Sequence, residues 1–97
     1  MLDDQHIAVR VVLSGRVQGV WFRNWTVGEA EARDLDGWVR NRRNGSVEAL
    51  FSGTKAPVRE IIAACHEGPP LARVDKVEES AVEAPKVGSG FQKKGST

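Results

Sequence analysis

The 97 residues predict one domain, spanning 1–97 with a core over about 7–94, because a chain this long buries roughly 60–70% of its unfolded surface. Apolar residues make up 40% and charged residues 28%, values near the globular average that exclude a disordered chain and a coiled coil. Lys and Arg number 14 against 13 Asp and Glu, 7 against 7 up to Gly53 and 7 against 6 beyond it, so neither half is a basic face and neither nucleic acid nor a membrane surface is expected as a partner.

In chain order, Met1-Leu2-Asp3-Asp4-Gln5-His6 is acidic and polar, unlike a signal peptide. Ile7, Val9, Val11 and Leu13 then alternate with Ala8, Arg10, Val12 and Ser14, the period-2 pattern of a strand with one apolar face. The glycine-bracketed stretch Gly15-Arg16-Val17-Gln18-Gly19-Val20 ends that strand. Phe22 to about Arg33 reads as a helix, with Phe22, Thr26, Ala30 and Trp25 able to turn towards a sheet.

Gly37 to about Asn41 is a second strand, and Asn44-Gly45 signals a hairpin turn because both residues tolerate positive φ. The strand that follows places Val47, Ala49 and Phe51 on one face. From Lys55 a second helix carries Val58, Ile61, Ile62 and Cys65 at i, i+3, i+4, i+7, with Pro57 near its first turn and Gly68-Pro69-Pro70 as its stop. Arg73 to about Val82 is a further strand, where Val74 and Val77 break strict alternation and predict a bulge or an edge position. A loop over 84–90 leads to a last short extended piece from Phe91. The order β-α-β-β-α-β with one small extra strand predicts an α+β, ferredoxin-like two-layer sandwich, an antiparallel sheet with both helices on one face.

The chemistry concentrates in the glycine stretch. Two glycines can turn backbone N–H groups inward, and inward amides at a helix start favour an anion. Arg23 falls in the first helical turn, where its planar fork can take two phosphate oxygens. Alone, this pattern also fits a plain tight turn followed by a surface arginine. A second stretch weighs against that reading: Gly37-Trp38-Val39-Arg40-Asn41-Arg42-Arg43-Asn44-Gly45-Ser46-Val47, followed by Gly53, places an amide side chain late in a strand.

Together the two stretches resemble the acylphosphatase family, whose signatures read G-x-V-Q-G-V-x-F-R and G-W-V-x-N-x-x-x-G-x-V with a further glycine six residues on. The resemblance covers roughly residues 7–91. It implies the same ferredoxin-like fold and the hydrolysis of acyl phosphates such as acetyl phosphate, carbamoyl phosphate and 1,3-bisphosphoglycerate. It also implies that Gly15, Arg16, Val17, Gln18, Gly19 and Val20 hold the phosphate through backbone amides, that Arg23 clamps its oxygens and that Asn41 positions water. The partner is then a small-molecule acyl phosphate, and the protein a monomer.

No metal and no cofactor are expected. His6, His66 and Cys65 lack metal-ligand spacing, and they read as two surface histidines and a small core residue; no Ser-His-Asp or Cys-His arrangement is present. A single cysteine cannot form an internal disulfide, and no apolar run approaches the roughly 20 residues of a membrane span, so a cytoplasmic location is expected. Trp21 and Trp38 are expected to pack at the mouth of the site, and Arg16, Arg40, Arg42 and Arg43 to be solvated charges.

The chain departs from the family pattern at Arg33-Asp34, where a leucine-glycine pair is usual, and at Phe91-Gln92-Lys93-Lys94, where a lysine stands at an expected apolar position. The alternative function is a non-catalytic anion-binding domain of the same fold, or one serving a larger machine; similar domains open the hydrogenase-maturation carbamoyltransferases, whose zinc-finger and transferase segments are not expected here. An RNA-recognition domain would display aromatics on its central strands, and Ile7–Ser14 has none while Ser46–Ser52 has only Phe51.

Overall fold

Alternation in the strands and helical spacing in the helices converge on one core. The computed structural model describes residues 5–96; the acidic amino-terminal reading rests mainly on residues 1–4, which lie outside them, as does Thr97. The elements are β1 (His6–Arg16), α1 (Phe22–Ala32), β2 (Asp36–Asn41), β3 (Val47–Thr54), α2 (Lys55–Cys65), β4 (Arg73–Ala81) and β5 (Phe91–Lys93). The strands form one sheet in the order β4-β1-β3-β2-β5.

Antiparallel pairing, as expected, joins β1 to β3, β1 to β4 and β2 to β3. The extra edge strand differs: β5 pairs with β2 in parallel, Gly37 opposite Phe91 and Val39 opposite Lys93. Val9, Val11, Leu13, Val39, Val47, Ala49 and Phe51 face the helices and bury against Phe22 and Ala30 of α1 and Val58, Ile61, Ile62 and Cys65 of α2. Both helices therefore cover the same sheet face. Phe51 stacks on Phe91 with centroids 5.7 Å apart, tying the short edge strand to the centre of the sheet.

Two local details depart from the sequence reading, while the irregularity expected in β4 is present. Gly15 and Arg16 do not end β1; they continue it, opposite Val74 and Arg73, and the register shifts between Ser14 and Gly15. That shift leaves Asp75 as the extra residue of β4, so Val74 and Val77 break alternation because of a bulge on an edge strand. The β2–β3 hairpin is wider than an Asn-Gly two-residue turn: the Gly45 N–H donates to Arg42 O and the Arg42 N–H to Ser46 O, and only Gly45 has positive φ. Asn44 contributes through its side chain, whose Oδ1 accepts from the Ser46 N–H at 3.0 Å.

The Arg33-Asp34 departure is accommodated locally. Asp34 takes the left-handed conformation at φ 58° in place of a glycine, and Arg33 pairs with Glu29 at 2.7 Å and reaches Glu60 of α2 at 3.4 Å. An ion-pair link between the helices thus stands where an apolar contact was expected.

At the start of β2, the buried Asp36 carboxylate accepts the N–H groups of Gly88 and Gly90, both at 2.9 Å. These charge-assisted bonds fasten the loop before β5. Gly37 has φ 133°, and a Cβ there would stand 1.8 Å from Leu50 O, so no other residue fits between β3 and Phe91.

The sheet face away from the helices carries Glu48, almost wholly buried between two arginines. Arg40 Nε donates to it at 2.7 Å and Arg10 Nε donates to its other oxygen. Arg40 also lies 4.9 Å from the centroid of the Trp38 ring. Arg40 is therefore an ion-paired sheet residue and not a solvated charge, and Trp38 lies on this face with it. Burial alone pushes the Glu48 carboxyl up, but the hydrogen bonds and positive charge of Arg40 and Arg10 outweigh it and hold the group below its ordinary value of 4.5. A depressed folded-state pKa contributes stability that is complete above the unfolded value and is lost as pH falls through the folded one. Thermal melts from pH 7 to pH 3 should show this loss below about pH 4.3, and Glu48→Gln should flatten that limb. An unchanged acid limb in Glu48→Gln would refute the assignment.

Candidate active site

The site is built where β1 gives way to α1. Beyond Arg16 the chain turns through Gly19 at φ 73° and Trp21 at φ 68° before the helix begins at Phe22. The left-handed geometry at Trp21 is unfavourable for a bulky side chain, and the sequence offered no sign of it. Its carbonyl accepts the Trp25 N–H at 2.9 Å, which starts the α1 hydrogen-bond ladder. No side chain caps α1 and no acidic residue stands in its first turn. The amide end of the helix dipole is thus left for an outside anion.

Gln18 sets the loop against the β2–β3 hairpin. Its Nε2 donates to Arg42 O at 2.7 Å and to Ser46 O at 2.8 Å, the two residues that close the hairpin one step beyond Asn41. A loop of β1 and the end of β2, distant in sequence, are thereby held together by a side chain acting as a bracket.

A cleft of about 270 Å³ opens between these parts. Val17, Gly19 and Trp21 line it from the loop, Phe22, Arg23 and Asn24 from the first turn of α1, Asn41 from the end of β2 and Lys93 from β5. Arg23 and Asn41, singled out in sequence 18 residues apart, share this one cavity. The Arg23 guanidinium is loosely tied, with Nη1 3.5 Å from Lys94 O. Two cations and no carboxylate line the cleft, so its charge favours an anion.

The other expected phosphate-binding residues lie around it. Gly15 and Arg16 belong to β1, paired with β4, and do not line the cleft; Gln18 and Val20 belong to the loop without lining it. Trp21 stands at the mouth, 71% exposed, whereas Trp38 is on the opposite sheet face beside Arg40. Sequence reading missed Asn24 and Lys93 as cleft residues. The available signal was parity: Lys93 is two residues after the buried Phe91 and so shares its face.

Cys65 is fully buried, and desolvation pushes its thiol up to about 12, which makes it an inert core group. His6 and His66 are exposed and line no part of the cleft. Among the described residues, no cluster of three potential metal ligands is present, and no helix is long and apolar enough to cross a membrane.

A two-layer α+β sandwich with an uncapped helix start, a left-handed loop and an arginine in one cationic cleft defines a phosphate-handling domain. A family model described as acylphosphatase matches residues 9–93, and the chain belongs to the acylphosphatase family. It is 55% identical over 75 residues to an acylphosphatase of Rhodospirillum rubrum, covering 77% of this chain and 82% of that one. The structure of an acylphosphatase from Coxiella burnetii matches with a TM-score of 0.88 and 31% identity, over 97% of this chain and 100% of that one. Full-length HypF, solved with phosphate and nucleotide, matches with a TM-score of 0.88 and 26% identity, over 98% of this chain and 12% of that one.

Proposed function

We propose that this chain carries out the reaction of its family, hydrolysis of the carboxyl-phosphate anhydride of acyl phosphates, in the cleft between α1, β2 and β5. The observation that carries the reading is the convergence of Arg23 and Asn41 on the uncapped amide end of α1. The part of the loop that lines the cleft, Val17 and Gly19, and the α1 amides hold the phosphoryl group, and Arg23 clamps two of its oxygens as charge spreads over them. The Asn41 side chain orients a water in line with the bond to the acyl oxygen.

The water oxygen bonds to phosphorus as the phosphorus–acyl oxygen bond breaks, and the bond's electron pair leaves on the carboxylate. From a dianionic substrate the products are one carboxylate and one dihydrogen phosphate, so the water protons leave with the phosphate. Charge balances without a protein base. The carboxylate is a good leaving group, its conjugate acid having a pKa of about 4, so positioning and charge stabilisation suffice.

The same reading takes the protein as a cytoplasmic monomer acting on a small molecule, the single cysteine supporting the location and the family resemblance the substrate. The test is a pH profile of benzoyl phosphate hydrolysis with and without excess EDTA. Neither Arg nor Asn titrates between about pH 6 and 8, so turnover stays flat there. Because Arg23 and backbone amides handle the developing charge, the chelator leaves turnover unchanged. A steep sigmoid centred near about pH 6.5 would point to a histidine and remove the assignment. A folded chain with no turnover would leave a non-catalytic anion-binding domain.

A further inference from the structure

We infer that Lys93 is a specificity-determining residue that binds a second anionic group, carried on the acyl part of the substrate, and so favours acyl phosphates bearing a further negative charge. The inference rests on the reading of the cleft as the acyl phosphate site. Lys93 stands at a strand position where Phe91, two residues earlier on the same face, is buried against the core. An apolar side chain would continue that packing. Lys93 is instead exposed, and its ammonium donates to Asn24 Oδ1 at 3.0 Å.

Asn24 follows Arg23 in the first turn of α1, so this bond brings the Lys93 ammonium to the helix start that also carries Arg23. One of the three ammonium donors is used by Asn24, and two remain for a ligand. Arg23 has the planar fork suited to a phosphoryl group, whereas Lys93 is a compact point charge that takes an anion of any shape. The two cations thus suit two different anions better than one. The cleft has room for both: about 270 Å³ is roughly nine water volumes at ~30 Å³ each, more than a phosphoryl group fills. Without a carboxylate in its lining, nothing in the cleft opposes a second negative charge.

The test compares kcat/KM for benzoyl phosphate with that for 3- and 4-carboxybenzoyl phosphate, using the full chain, Lys93→Met and Lys93→Arg. The native chain should prefer a carboxylated substrate, and Lys93→Met should reduce that preference by about fivefold, the scale of an exposed ion pair. Lys93→Arg should restore most of it, and the native preference should shrink between 20 and 300 mM salt. A purely structural role would lower all substrates together. Equal losses on charged and uncharged substrates, or no preference in the native chain, overturn the inference and leave the reading of the cleft intact. A native chain inactive on every one of these substrates overturns both.

Discussion

Arg23→Ala and Asn41→Ala are each expected to lower kcat/KM for benzoyl phosphate by about a hundredfold or more, ~2.7 kcal/mol of transition-state stabilisation. The two losses should differ in kind. In the proposed reaction Arg23 meets the phosphoryl oxygens in both the ground state and the transition state, so its removal should raise KM and weaken inhibition by inorganic phosphate as well as lower kcat. The water that the proposed reaction assigns to Asn41 matters only during attack, so Asn41→Ala should act mainly on kcat. Arg23→Lys should recover only part of the loss, because an ammonium replaces a planar fork by a point charge.

Because the proposed roles serve one step, the double variant should lose less than the product of the single losses. Folding should survive both substitutions: each side chain is only half-buried, and the contact of Arg23 with Lys94 O is long at 3.5 Å. Steady-state kinetics beside thermal melts separate the cases. A loss under about tenfold in either folded single variant would remove that residue from the chemistry.

The largest expected effect on stability comes from Phe51→Ala. Phe51 is fully buried on central strand β3, opposite Val9 of β1 and Gly37 of β2, and its ring stacks on Phe91 at an interplanar angle of 12°. Truncation leaves a cavity at the one point where the central strands and the edge strand β5 pack together. Such changes cost about 3–5 kcal/mol, against ~5–15 kcal/mol for the whole fold of a typical domain. For a chain of this size the melting temperature should fall by more than roughly 10 °C. The urea midpoint should drop with little change in slope. Phe91→Ala should cost less, since Phe91 sits on the sheet edge and is 9% exposed. A Phe51→Ala loss under about 1 kcal/mol would mean that the neighbouring side chains refill the cavity.

Much of this was legible in one dimension, and the reason is periodicity. Val58, Ile61, Ile62 and Cys65 repeat at the helical period and are all buried. Val47, Ala49 and Phe51 repeat at the strand period and are buried as well. Irregularity was legible too, since Val74 and Val77 announced the β4 bulge by failing to alternate. Arg23 and Asn41, singled out because each matches a position in the two family-like glycine motifs, line one cleft.

What could not be read depended on partners far along the chain. Asp36 stood outside every pattern in the sequence, and its carboxylate accepts the N–H groups of Gly88 and Gly90 more than fifty residues on. Nothing in the local sequence said that the Gln18 side-chain amide would reach the hairpin carbonyls of Arg42 and Ser46. Arg40 looked solvated until Glu48 met it across the sheet, and Lys93 looked like a defect until the parallel pairing of β5 with β2 carried it to the cleft. Local spacing encodes which face a residue takes, because backbone geometry repeats every few residues. Which distant group that face meets is set by strand order and register, and these arise only when the whole sheet closes around its core.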